Sequence, residues 1–252
     1  MKIYPLGVGQ GFSTKYFHNN YIISISNTNI LIDAGTTLRF SLEASPYTYT
    51  DIDYILLTHF HFDHVGGLEE LLQRRYWSTT SKQNQKKPQI IIKECQLKQL
   101  ESLLSPGLCN QNLTLHDYCD IHTLSDEQSS LTIENTIEIQ FIDTTNFHCE
   151  DMISFALQIY DLNKQQNILF SSDIKKLKNS NLKEQINQET VAIFQDVDLT
   201  YNPVHAHLTE VLSYYPDTCR PILYAMHYPD HAPNTFSQYN LSFVQQGIPI
   251  MY

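Results

Sequence analysis

Residues 58–64 read Thr58-His59-Phe60-His61-Phe62-Asp63-His64, three imidazoles and a carboxylate on one short piece of chain. The run before them, Tyr54-Ile55-Leu56-Leu57, is apolar throughout and reads as a buried strand, while Val65-Gly66-Gly67-Leu68-Glu69-Glu70-Leu71-Leu72 opens a helix. The cluster therefore sits on a strand-to-helix turn. His59 and His61, two positions apart, point the same way on extended chain, where one cation could take both. Asp63 and His64 then curl away in the turn and face a second. A lone pair of histidines beside a strand needs no metal, but four coordinating side chains this close, followed by two glycines, read as a paired metal site.

Strands are expected outward from this motif at 2–6, 21–26, 29–33, 54–58 and 89–92, and again at 136–142, 153–160, 167–171, 190–195 and 221–226. Leu97, Leu100, Leu103 and Leu104 form an apolar stripe at helical spacing, as do Leu208, Val211 and Leu212, and both read as core-facing surfaces. Two batches of strands with helices among them predict an α/β, four-layer αββα sandwich: two facing mixed sheets flanked by helices. His148, Asp173 and His227 each follow a predicted strand, so they too fall at strand ends.

The chain has 252 residues with 42% hydrophobic content, enough for one large core, and no Ser/Gly/Pro-rich linker divides it, so residues 1–252 are expected as a single domain. The polar stretch 81–87 reads as a solvated loop. No long apolar segment suggests a leader or a membrane span, and five cysteines (Cys95, Cys109, Cys119, Cys149, Cys219) lack CxxC spacing; a cytoplasmic protein with reduced thiols is expected. The net charge of −11, from 27 acidic and 16 basic residues, argues against a long nucleic acid as partner, since its phosphates need a basic face.

The chain resembles the metallo-β-lactamase superfamily. The likeness rests on the 58–68 run, the early Leu6-Gly7-Val8-Gly9-Gln10-Gly11 turn, the segment Leu31-Ile32-Asp33-Ala34-Gly35, and the later His148, Asp173 and His227 in family order. It implies a dinuclear hydrolase site in which His59, His61 and His148 hold one divalent ion, Asp63, His64 and His227 hold the other, and Asp173 bridges them. Zn²⁺ suits imidazole-rich ligands, and Mn²⁺ or Fe²⁺ also accept mixed nitrogen and oxygen donors. Two cations about 3.5–4 Å apart can activate water for attack on phosphorus, so no serine or cysteine nucleophile is required. Asp33 is positioned either to orient a ligating histidine or simply to close its turn.

Asp63, Asp196 and His205 are the residues expected to act in catalysis. In the ribonuclease Z-like phosphodiesterases, which the chain resembles at Phe194-Gln195-Asp196 and Val204-His205-Ala206, a carboxylate pairs with a histidine acid; the counterparts are Asp196 and His205. His207, in His207-Leu208-Thr209, competes for that role, and spacing to His227 favours His205. His18, in the aromatic-rich Tyr16-Phe17-His18-Asn19-Asn20-Tyr21, is placed to contact a substrate base or to pack.

Ribonuclease Z carries a tRNA-gripping arm between the counterparts of His148 and Asp173, and the step of 25 positions from one to the other here leaves no room for one. The segments Gly67-Leu68-Glu69-Glu70-Leu71, Lys87-Pro88-Gln89-Ile90-Ile91-Ile92 and Leu115-His116-Asp117-Tyr118-Cys119, together with the Asp196 and His205 stretches, resemble the compact anti-Pycsar cyclic-nucleotide phosphodiesterases. That likeness implies opening of 3′,5′-cyclic mononucleotides to 5′-monophosphates, and a homodimer whose neighbouring chains line the cleft. A tRNA 3′-processing endonuclease and a non-catalytic metal-binding protein are the alternatives.

Overall fold

A computed structural model describes residues 1–78, 86–232 and 241–252. Residues 81–85 of the expected polar loop lie outside the described residues. Six strands open the first sheet in spatial order: β1 (Lys2–Pro5), β2 (Tyr21–Ile25), β3 (Thr28–Ile32), β4 (Tyr54–Leu56), β5 (Gln89–Lys93) and β6 (Asp120–Leu124). The second sheet runs from β7 (Ser130–Ile133) through β8 (Ile137–Asp143), β9 (Phe155–Asp161), β10 (Gln166–Phe170), β11 (Thr190–Asp196) and β12 (Leu223–Met226) to β13 (Ser242–Phe243). A last strand, β14 (Ile250–Met251), returns to pair with β1.

Both sheets are mixed. Strands β1 to β3 are antiparallel and β3 to β6 parallel, and likewise β7 to β10 are antiparallel and β10 to β13 parallel. The parallel strands of each sheet therefore deliver their carboxyl ends to one edge, which is where open α/β sheets place their ligands. Pairing of Ile32 with Leu56 puts the chain after β3 beside the chain after β4, and pairing of Asp196 with Met226 does the same for β11 and β12.

Alternation of side chains along each strand builds the layers. Ile23, Ile30, Leu56 and Ile91 join Leu157, Ile168, Phe170 and Phe194 in a core between the sheets. Their sequence neighbours Ile22, Leu31, Ile55, Ile90 and Ile92 face the other way, onto helices. Those helices are α1 (Leu38–Glu43), the single turn α2 (Phe62–Val65), α3 (Leu68–Trp77), α4 (Leu97–Leu108) and α5 (Leu115–Tyr118). Leu38, Leu71, Leu100 and Leu104 supply much of the contact. Helix α6 (Leu208–Tyr214) covers the second sheet through Val211 and Tyr214 against Ile193 and Leu223. Phe170 and Phe194 stack at 4.4 Å and 9°, and Tyr21 of the opposite sheet meets Phe170 edge-on at 5.1 Å. Each buried aromatic or large aliphatic group removes enough apolar surface from water to stabilise the fold by about 1.5–3 kcal/mol.

The αββα sandwich agrees with the sequence expectation, and four strands go beyond it. In β6 only Leu124 is buried, and in β7 only Ile133, so these edge strands carry no apolar run. Strands β13 and β14 have two residues each, too few for a period. The interval between His148 and Asp173 is the β9–β10 antiparallel pair and its turn. All five cysteines are free thiols, and among the described residues no helix is long and apolar enough to cross a membrane.

Candidate metal centre

Strand β4 ends at Leu56, and the motif continues as extended chain to His61, which precedes α2. Helix α2 carries Asp63 and His64, so the turn in the motif is one turn of helix rather than part of the helix at α3. Asp33, just after β3, anchors both ends. Its Oδ1 accepts from the Thr58 amide at 2.8 Å, and its Oδ2 accepts from Thr58 Oγ1 at 2.8 Å and from His64 Nδ1 at 2.7 Å. Asp33 (φ 58°), Ser172 (φ 57°) and His227 (φ 53°) all adopt the left-handed backbone region. Side chains disfavour it, and strain of this kind gathers at functional sites.

Three histidines form the first half of the centre. His59 Nε2 and His148 Nε2 lie 3.1 and 3.2 Å from His61 Nδ1. His148 Nδ1 donates to the Val204 carbonyl at 2.7 Å, which leaves its Nε2 with the lone pair when the ring is neutral. Burial, reinforced by neighbouring imidazoles, holds His59 well below its ordinary value, and burial also lowers His61 and His148. Neutral nitrogens facing each other at this separation repel unless a positive ion lies between them. Zinc with nitrogen ligands at about 2.0–2.1 Å in a tetrahedron sets those nitrogens about 3.3 Å apart, so the spacing fits.

Asp63, His64, Asp173 and His227 form the second half. His227 Nε2 lies 3.3 Å from Asp63 Oδ2 and 3.5 Å from Asp173 Oδ2, and His64 Nε2 lies 3.3 Å from Asp173 Oδ2. Asp173 Oδ2 is also 3.7 Å from His148 Nε2 and 3.9 Å from His59 Nε2, so this carboxylate belongs to both halves. His64 Nε2 and Asp173 Oδ1, both buried, have no hydrogen-bond partner among the described residues. Burial opposes charge on His227, but Asp173, Asp196 and Asp63 outweigh it and raise its pKa to about 10. Asp63 and Asp173 are themselves held well below the carboxylate range by those histidines, against the opposing effect of burial. The pocket thus favours positive charge, which divalent ions supply. All seven ligands expected from the sequence come together in two overlapping groups capable of holding metal, and Asp173 is common to these and to a third with Asp196, His205 and His227.

Asp196 ends β11 under this cluster. Its Oδ2 accepts from the Ile174 amide at 2.9 Å and from His205 Nδ1 at 2.8 Å. Burial resists protonation of His205, yet Asp196 and Asp173 raise its pKa above the ordinary value. His207 takes a different place: it caps α6, its Nδ1 accepting from the Thr209 amide at 3.2 Å, while its Nε2 faces the Leu199 carbonyl at 3.2 Å. His18 is buried against the Gly11 carbonyl and does not line the pocket.

A cavity of about 390 Å³ opens over the centre. His61, Asp63, His148, Asp173, His205 and His227 line it, and so do Gln10, Gly11, Phe12, Phe62, Asn202 and Val204. Gln10, Phe12 and Asn202 were not foreseen as site residues. They sit in loops without periodicity, and only the glycines around Gln10 hinted at a turn.

The family model described as "Anti-Pycsar protein Apyc1" matches residues 1–250. A protein of that name from Paenibacillus sp. (strain J14) is 30% identical, the match covering 91% of this chain and 90% of that protein. Another, from Bacillus phage BSP38, is 28% identical over 98% of this chain and 96% of its own length. Among solved structures, the metallo-β-lactamase fold protein YhfI of Bacillus subtilis superposes with a TM-score of 0.76 at 15% identity, covering 99% of this chain and 98% of that one. This likeness establishes the metallo-β-lactamase fold.

Proposed function

Because the chain belongs to the Apyc1 family of anti-Pycsar proteins, we propose that it is a metal-dependent phosphodiesterase that opens 3′,5′-cyclic mononucleotides to 5′-monophosphates. The observation that carries the reading is His205, which lines one cavity with residues of the ligand cluster and is held from behind by the buried Asp196 at 2.8 Å. At about 390 Å³ the cavity falls within the usual range for small-molecule sites.

His59, His61 and His148 would hold one divalent ion, Asp63, His64 and His227 a second, with Asp173 shared; zinc is the first expectation, manganese or iron the alternatives. Such ions, when bound, supply Lewis acidity and lower the pKa of water. Water adds to phosphorus and releases one proton to solvent as the bond to the 3′ oxygen breaks, and that oxygen leaves with a proton from the protein. His205 is the donor: Asp196 engages Nδ1 and favours the protonated ring, so the proton passes from Nε2. A positioned acid of this kind contributes about 10²–10⁴-fold. Asp33 fixes the orientation of His64 and so the direction of its Nε2.

The reading takes residues 1–252 as one catalytic domain, acting as a cytoplasmic homodimer. The acidic balance and the short interval between His148 and Asp173 support a small substrate over tRNA. A turnover panel of cyclic purine and pyrimidine mononucleotides, cyclic dinucleotides and precursor tRNA, with Zn²⁺ and Mn²⁺ each supplied, tests it. Metal-dependent release of 5′-monophosphate is expected. Cleavage of precursor tRNA with cyclic nucleotides untouched would overturn the substrate, and no hydrolysis of any phosphodiester would overturn the activity.

A further inference from the structure

We propose that Gln10, Phe12 and Phe62 form the nucleoside subsite of this centre: the Phe12 ring stacks on the base, and Gln10 Oε1 accepts a hydrogen bond from the ribose 2′-hydroxyl. The inference rests on the cyclic-nucleotide reading and adds the residues that seat the rest of the molecule.

Phe12 is 90% exposed and Phe62 48% exposed, although both line the cavity over the metal ligands. A ring left in water adds almost nothing to folding, since its stabilisation comes only when apolar surface is covered. It is nevertheless not isolated. Phe12 leans on Phe62 at 5.7 Å and 42°, and Phe62 rests edge-on against the buried His18 at 5.7 Å and 78°. This is a supported aromatic face beside a site for phosphate chemistry, and every nucleobase offers a π-face to such a platform.

The Gln10 amide is oriented by its partner. Nε2 donates to Asp198 Oδ2 at 2.9 Å, and the same carboxylate receives Asn202 Nδ2 at 2.7 Å and the Thr200 amide at 3.0 Å. A carboxylate only accepts, so the nitrogen of Gln10 must face it and the oxygen must face away. No hydrogen bond to Oε1 is found among the described residues, and the residue lines the cavity. It therefore presents an acceptor to a donor on the substrate. In a 3′,5′-cyclic ribonucleotide the 3′ and 5′ oxygens are both esterified, and the 2′-hydroxyl is the one ribose hydroxyl left to donate.

Binding of non-hydrolysable 3′,5′-cyclic phosphorothioates to the metal-loaded protein, followed by calorimetry, tests the assignment. Three ligands are compared: the ribonucleotide, its 2′-deoxy form, and an abasic methyl riboside. Wild type is expected to prefer the base-bearing ligand over the abasic one by about tenfold or more. Phe12→Ala and Phe12→Leu collapse that preference, and Phe12→Tyr retains it. Gln10→Ala collapses the preference for ribo over deoxy, expected at about tenfold.

Preferences unchanged in Phe12→Ala and Gln10→Ala, or absent from wild type, overturn the subsite. Unchanged preference together with a smaller sedimenting species assigns Phe12 to a contact with a second copy and overturns it equally. Wild type that shows both preferences but hydrolyses no cyclic nucleotide leaves the subsite standing and removes the phosphodiesterase reading. Wild type that hydrolyses cyclic nucleotides with preferences unmoved by either variant does the reverse.

Discussion

Asp33 Oδ2 accepts a hydrogen bond from His64 Nδ1 at 2.7 Å, while the same carboxylate takes both the amide and the hydroxyl of Thr58. One buried side chain thus spans the motif from its first residue to its last and determines which nitrogen of His64 faces Asp173. Partners that orient a metal-ligating histidine change metal affinity by about 10–100-fold when removed. Asp33→Ala is expected to weaken Zn²⁺ binding by that factor, measured by competition with a chromophoric chelator. Wild-type affinity in a folded Asp33→Ala protein would exclude an orienting role.

His205 is assigned the leaving-group proton, and the role depends on how much the leaving group needs one. His205→Ala should lower kcat on a 3′,5′-cyclic mononucleotide by about 10²–10⁴-fold, because an alkoxide leaves poorly without an acid. Turnover of a p-nitrophenyl phosphodiester, whose phenolate leaves unaided, should fall far less. Steady-state kinetics on both substrates, with bound metal measured per chain, separates this from a general loss of the site. An equal loss on the two substrates counts against the assignment.

The sites that were legible in the sequence are those compressed into short, regular stretches. His59, His61, Asp63 and His64 announce themselves because the fold needs them on one strand-to-helix turn, and Ile90, Ile91 and Ile92 read as a strand because both faces of β5 are buried. His148, Asp173 and His227 were found through family order, as each follows a strand without local pattern. Gln10, Phe12 and Asn202 were missed for the opposite reason. An exposed ring and two loop amides do not differ from ordinary surface until the fold brings the chain near residue 10 against the chain near residue 198. His205 and His207 flank Ala206 on either side, so only spacing to His227 separates them in the sequence, whereas in the fold only His205 turns toward Asp196.

The Asp230 carboxylate holds the loop at residues 13–15, which follows the cavity-lining Phe12. It accepts hydrogen bonds from Ser13 Oγ, from the Thr14 amide and hydroxyl, each at 2.8 Å, and from the Lys15 amide at 3.2 Å. Burial pushes its pKa upward, but these donors prevail and bring it down to about 2 from the ordinary 3.8. A depressed carboxyl contributes stability that is fully present above the unfolded value and is lost as pH falls through the folded one. Asp230→Asn should therefore unfold at lower urea than wild type at pH 7, and the gap should narrow as pH is lowered from about 4 towards 2. A gap that stays constant over that range would contradict the linkage.

Gly35 lies where the chain after β3 passes against the motif. The Ala34 amide donates to the His64 carbonyl at 2.6 Å, and the Gly67 amide donates to the Ala34 carbonyl at 2.8 Å, so two backbones run in direct contact. A Cβ on Gly35 would stand 2.0 Å from the Asp63 carbonyl oxygen and 2.7 Å from its carbon. Those are backbone atoms of a proposed metal ligand, and no side-chain rotation relieves the overlap. Gly35→Ala is expected to destabilise the metal-free protein by about 1–3 kcal/mol, the usual cost of overpacking. The displaced turn should also carry the Asp63 carboxylate away from His227, so metal affinity falls together with stability. Urea unfolding with chelator present reads the first effect, and metal titration reads the second. A variant that matches wild type in both would mean that the contact between Gly35 and Asp63 does not set the position of the ligand.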